Sequence, residues 1–183
     1  VNYTRYGVSP YSIVVASNGD ALVGTLANGI FKSTDHGLSW FKTNFPSPDR
    51  DIRSLHVTSQ NVVFAGANFK YKVILRSADN GSSWVELPSL TNKIIYTLAS
   101  DSLGNIWAGG SNGLYRSSDN GEQWFSVGFK DSIVTSAVIS PLGYVYTSVL
   151  GCGVFSSKDM GSSWHPINSG LTDFGVTCLL IDN

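Results

Sequence analysis

Thirteen carboxylates are spread over the 183 residues, and only two of them, Glu86 and Glu122, are glutamates. Cleaving a glycosidic bond needs two carboxyl groups placed across it, so the acids divide by whether anything else already claims them. Asp35, Asp79, Asp119 and Asp159 share one short pattern, Ser-x-Asp-x-Gly-x-x-Trp, and are committed to it. Asp49, Asp51, Asp131 and Asp173 lie in polar segments between apolar runs. They are the candidate acids, Asp49 or Asp51 pairing with Asp131 or Asp173. Cations stand in the same segments at Arg50, Lys93 and Lys130. The run Asn68-Phe69-Lys70-Tyr71-Lys72 interleaves aromatics with lysines. Aromatic faces stack on sugars and ammonium groups meet anions, which makes this run a candidate ligand contact. An exposed loop with solvated charges is the plainer reading of it.

Other chemistries lack their residues. His36, His56 and His165 are scattered and give no metal-ligand spacing. No Gly-x-Ser-x-Gly elbow or Cys–His arrangement appears, so no metal and no cofactor is expected. Cys152 and Cys178 read as two buried thiols, with a bridge as the alternative. The net charge of −1 and the absence of a basic stripe argue against nucleic acid. Apolar runs of only a few residues argue against membrane insertion. The chain begins at Val1, which reads as a processed or excised segment of a longer protein. Asn2-Tyr3-Thr4 and Asn80-Gly81-Ser82 match the glycosylation pattern, relevant only to a eukaryotic secreted protein.

The elements that must position these groups are read from a repeat. The pattern falls on Ser33, Asp35, Gly37 and Trp40; on Ser77, Asp79, Gly81 and Trp84; on Ser117, Asp119, Gly121 and Trp124; and on Ser157, Asp159, Gly161 and Trp164. The tryptophans are 44, 40 and 40 residues apart. A period near 40 is the signature of a repeat architecture. Each unit holds four short strand-like runs, in the third unit 94–100, 105–110, 114–117 and 123–127, separated by polar or glycine-rich turns. The runs predict an all-β meander of four antiparallel strands, A to D, which buries both faces only by stacking against its neighbours. Asp and Ser side chains hold backbone N–H groups of a tight turn between C and D, Gly supplies a positive φ, and Trp opens strand D.

On these residues the chain resembles the Asp-box, or BNR-repeat, β-propeller family, which includes sialidases, xyloglucanases and sortilin-like receptors. The resemblance implies four-stranded blades at about 11–45, 51–88, 93–128 and 133–168, followed by strand A of a further blade at 175–183. It also implies that the sixteen pattern residues are structural. The arginine triad of the sialidases has no counterpart. Residues 101–116, and more loosely 17–32, also resemble the propeller repeats of periplasmic two-component sensors.

Gly7-Val8 matches Gly175-Val176, so four blades and a strand are expected, a partial ring. Further blades of a longer chain, or a second copy, would close it. In such a ring the D-to-A and B-to-C loops share the face around the pore, which collects the candidate acids and cations. The expected function is a non-catalytic, extracytoplasmic module binding a glycan or a protein on that face. A polysaccharide-cleaving hydrolase and the ligand-sensing segment of a membrane sensor are the alternatives.

Overall fold

The computed structural model describes residues 9–46, 50–69, 73–88, 90 and 93–182. Among these are sixteen strands and no helix. The first blade is β1 (Pro10–Val15), β2 (Ala21–Thr25), β3 (Ile30–Ser33) and β4 (Phe41–Lys42). The second is β5 (Asp51–Val57), β6 (Val63–Phe69), β7 (Ile74–Ser77) and β8 (Val85–Glu86). The third is β9 (Lys93–Ser100), β10 (Ile106–Gly110), β11 (Gly113–Ser117) and β12 (Phe125–Gly128). The fourth is β13 (Val134–Ile139), β14 (Val145–Val149), β15 (Gly153–Ser157) and β16 (His165–Pro166). Every pairing is antiparallel. The end of β6 also pairs Asn68 with Ile94 and Phe69 with Lys93, joining blades two and three into one sheet.

Four-stranded sheets with apolar residues on both faces must stack. One core cluster packs Leu22, Ile30 and Phe45 of blade one against Ile52, Leu55, Ala65 and Trp84 of blade two. A second joins Phe64, Ile74 and Leu87 to Ile95, Leu98 and Ile106, and a third joins Trp107 and Leu114 to Val134, Ala137 and Val145. The second strands bring Gly24, Gly66 and Gly109 against Ile52, Ile95 and Val134 of the next blade. A Cβ at those glycines would lie 2.6, 2.6 and 2.5 Å from a side-chain methyl.

Polar bonds repeat with the same period. Lys32 Nζ donates to the Asn80 carbonyl at 2.9 Å, Arg76 to that of Asn120 at 2.8 Å, and Arg116 to that of Met160 at 2.9 Å. Each cation precedes the pattern serine of its own blade and caps the C-to-D turn of the next. On the first strands, hydroxyls accept main-chain N–H groups from the following blade: Ser12 from Leu55 at 2.9 Å, Thr97 from Ala137 at 3.2 Å, and Ser136 from Leu179 at 3.1 Å.

The four C-to-D turns are nearly identical. The serine hydroxyl accepts the glycine N–H at 2.8 Å in each. The aspartate accepts that hydroxyl and the N–H four residues on, from Ser39, Ser83, Gln123 and Ser163. The glycines have φ near +80°, at Gly37, Gly81, Gly121 and Gly161, a conformation costly for other residues. Strand D begins one residue after each tryptophan rather than on it. Nε1 of Trp84 and Trp124 donates to the Gly81 and Gly121 carbonyls.

Two expectations are corrected. Cys152 and Cys178 are free and exposed, not buried, because Cys152 sits in a surface turn and Cys178 on the open end of the stack. Residues 174–182 form no strand, since the described residues hold no second strand of that blade to pair with. The segment is instead held laterally, by Thr135 Oγ1 donating to the Val176 carbonyl at 2.7 Å and by the Ser136–Leu179 bond.

Trp84 is buried edge-on against Phe45, so Trp84→Ala is expected to cost about 3–5 kcal/mol in urea denaturation. Trp40→Ala should cost less, since Trp40 has no preceding blade and is exposed. Acid stability should fall in two windows. Burial pushes His56, whose Nε2 meets Ser100 Oγ at 2.8 Å, from 6.5 down to about 4. The folded state thus binds fewer protons than the unfolded one over that range, and stability drops as pH falls from 6.5 toward 4. The Ser39 hydroxyl and N–H hold Asp35 at about 2, Ser163 does the same for Asp159, and at Asp79 burial is outweighed by Ser83. Their contribution, present above pH 3.8, is lost between there and about 2. A pH series of denaturation midpoints for the wild type and His56→Gln checks both, with the upper window alone missing in the variant.

Candidate functional site

The first strands of successive blades lie side by side, β1 with β5, β5 with β9 and β9 with β13. Each carries a bulge at the same place, where the register to the second strand skips one residue: Tyr11, Arg53, Tyr96 and Thr135. The residue after each bulge is Ser12, Ser54, Thr97 or Ser136. A bulge re-aims its unpaired side chain and releases it from the ladder. Three of the four bulge residues converge. The Arg53 guanidinium carbon is 4.9 Å from the Tyr11 ring centroid and 5.7 Å from that of Tyr96. The cation therefore lies between two aromatic rings, which attract it through their quadrupoles.

Asp51 and Asn68 border this sandwich. Asp51 Oδ2 stands 3.7 Å from an Arg53 nitrogen and accepts from Asn68 Nδ2 at 3.3 Å, while its Oδ1 accepts the Ala27 N–H at 3.1 Å. Both oxygens are occupied, so the carboxylate ties the first B-to-C turn to the second blade. Cross-links of this kind recur, with the Gly29 N–H on the Arg50 carbonyl and the Gly113 N–H on the Ser132 carbonyl. The B-to-C turns and D-to-A linkers thus lie together.

The other sequence candidates are dispersed. Arg50 is buried and pairs with Glu86 at 2.6 Å. Lys93 sits 5.1 Å over the Tyr115 ring. Lys130 and Asp131 are exposed on the linker into blade four, where the Asp131 N–H donates to Asn112. Asp173 is exposed beyond blade four and accepts the Gly175 N–H at 2.7 Å. The linkers carrying Asp131 and Asp173 flank blade four, while Asp51 starts blade two. Asp49, Lys70, Tyr71 and Lys72 lie outside the described residues, as does the side chain of Phe69. Among the described residues, no three His, Cys, Asp or Glu side chains come together as a metal site would need. Sequence inspection missed Tyr11, Arg53 and Tyr96. The signal that finds them is the hydroxyl residue of each A run, since the residue before it is the bulge.

No protein-family model matches the chain, and no curated protein matches it. Solved structures do match in fold. The extracellular domain of a one-component system from B. thetaiotaomicron superposes with a TM-score of 0.75 at 14% identity, over 100% of this chain and 26% of that one. Virginiamycin B lyase from Staphylococcus aureus gives 0.74 at 20% identity, over 90% and 57%. The GH74 xyloglucanase from Xanthomonas campestris gives 0.69 at 15% identity, over 84% and 29%. The chain spans from about a quarter to somewhat over half of these structures.

Asp51→Asn keeps the shape but weakens the acceptor for Ala27 and Asn68, and should cost about 1–2 kcal/mol in thermal denaturation. Asp173→Asn, at an exposed loop, should change the midpoint little. The architecture and these likenesses agree on one fold: the chain is a segment of a β-propeller, four blades of an unclosed ring.

Proposed function

We propose that this chain is a non-catalytic, extracytoplasmic binding segment of an Asp-box-type propeller, which takes a glycan or protein ligand against its inner strands. The observation that carries the reading is the placement of Tyr11, Arg53 and Tyr96 at three consecutive bulges, beside Asp51 and Asn68. Aromatic faces, a fixed cation and an amide are the groups with which ligand sites orient what they bind. Asp51, the one candidate acid in the cluster among the described residues, has both oxygens occupied, which favours binding over general acid–base work. The Ser-x-Asp-x-Gly-x-x-Trp turns supply the Asp-box assignment, and their aspartates are absorbed by the turn.

Ring closure by further blades of a longer chain, or by a second copy, is part of the same proposal. Ile13 of blade one is 64% exposed, while its counterparts Leu55, Leu98 and Ala137 are 6, 7 and 3% exposed behind a preceding blade. The blade-one face is therefore built to be covered. A sensing role is the second reading. It is favoured by the fold likeness to extracellular domains of one-component and hybrid two-component systems.

Calorimetry of the full chain against neutral and acidic oligosaccharides and peptides should give saturable binding with no bond cleaved. Tyr96→Ala should weaken that binding without a matching loss of thermal stability. Turnover of any probe, or binding indifferent to Tyr96, overturns the reading. Light scattering over a concentration series separates the two ways of closing the ring. A discrete particle of twice 19.7 kDa means a second copy.

A further inference from the structure

Arg53 is held in place but left chemically unfinished. Its guanidinium is fixed between the Tyr11 and Tyr96 rings, and its Nε is buried with no hydrogen-bond partner. The nearest carboxylate oxygen, Asp51 Oδ2, is 3.7 Å away, beyond hydrogen-bonding reach. That oxygen is already taken by Asn68, and its twin by the Ala27 N–H. Four other cations of the described residues, three of them on strands, find acceptors. Lys32 has Asp20 at 2.8 Å, Arg50 has Glu86 at 2.6 Å, Arg76 has Glu122 at 3.1 Å, and Arg116 has the Met160 carbonyl. Arg53 keeps a quarter of its side chain exposed, at 26%, on the strand edge where the bulges gather. A planar five-donor fork with unfilled donors is matched by a carboxylate, which takes two parallel N–H bonds. Rings that hold the guanidinium flat remove the entropy cost of ordering it at the moment of binding.

Resting on the binding reading above, we propose that Arg53 anchors a carboxylate subsite and that its ligand is a uronic-acid-containing oligosaccharide. The carboxylate sits on the Arg53 fork, the sugar ring lies along the exposed Tyr11 face, and neighbouring hydroxyls reach Asp51 and Asn68. Asp51 is the reason for preferring an acidic sugar to an acidic peptide. One cation beside one anion is close to neutral, so a run of acidic side chains meets repulsion from Asp51. An isolated carboxylate flanked by hydroxyls finds both a donor fork and an acceptor.

The test is calorimetric titration of the full chain with tri-galacturonate and with its fully methyl-esterified form, which keeps the shape and loses the charge. The acid should bind, the ester should bind at least about 10-fold more weakly, and Arg53→Lys should cost the acid about 10-fold or more, since a point charge does not reproduce the fork. Thermal midpoints of wild type and Arg53→Lys should agree, and Tyr11→Ala, which removes the stacking face together with one of the two rings that hold Arg53, should weaken both sugars. Equal binding of acid and ester, an Arg53→Lys protein that binds as the wild type does, or a tetra-glutamate peptide binding where the uronate does not, overturns this proposal. If a neutral sugar binds independently of Arg53, the subsite is wrong and the binding function stands. If no sugar and no peptide binds, both fall.

Discussion

A four-stranded sheet that is apolar on both faces is stable only when each face meets another sheet, and nearly every repeated feature of this chain serves that contact. The aliphatic clusters lie between blades rather than within them. The second-strand glycines allow the approach, and the strand-three cations and strand-one hydroxyls bond across it. The cation and hydroxyl bonds each join a residue to one about a repeat further on, and the glycine contacts recur once per blade. The period of the sequence is therefore the period of the interface, and stability propagates from neighbour to neighbour. The same rule explains why the two ends differ from the middle: the apolar positions are kept there, but no blade covers them.

Charge is used sparingly and mostly internally. Lys32, Arg76 and Arg116 are spent on carboxylates or on the carbonyls of the next turn, and the turn aspartates on hydroxyls and N–H groups. Such groups are satisfied by the fold and have little left for a ligand. The bulge position differs because it is outside the ladder to the second strand. The residues beside it stay within a narrow choice, Ser or Thr after it and an apolar residue before it in three of the four strands. The bulge itself holds Tyr, Arg, Tyr and Thr. A position released from the ladder and placed on the inner edge is where a repeat protein can vary its surface without disturbing its core.

The repeat, the strand content and the turns were legible in the chain because their causes are local. A Ser-x-Asp-x-Gly-x-x-Trp stretch closes its own turn, and alternating apolar residues make strands whatever lies beyond them. The site was not legible. Asp51 and Asn68 drew notice as loop residues, yet Arg50, one residue from Asp51, proved to be interior. Asp131 and Asp173, equally polar in sequence, lie on linkers around another blade. Arg53 looked like any strand arginine. Its register skip depends on pairing with β6, and its neighbours Tyr11 and Tyr96 come from strands more than 40 residues away. By itself the sequence determined what each blade is, since a blade's bonds are mostly its own. Only the tertiary structure decided which side chains meet at the inner edge, because that depends on how three blades pack and where each first strand is interrupted.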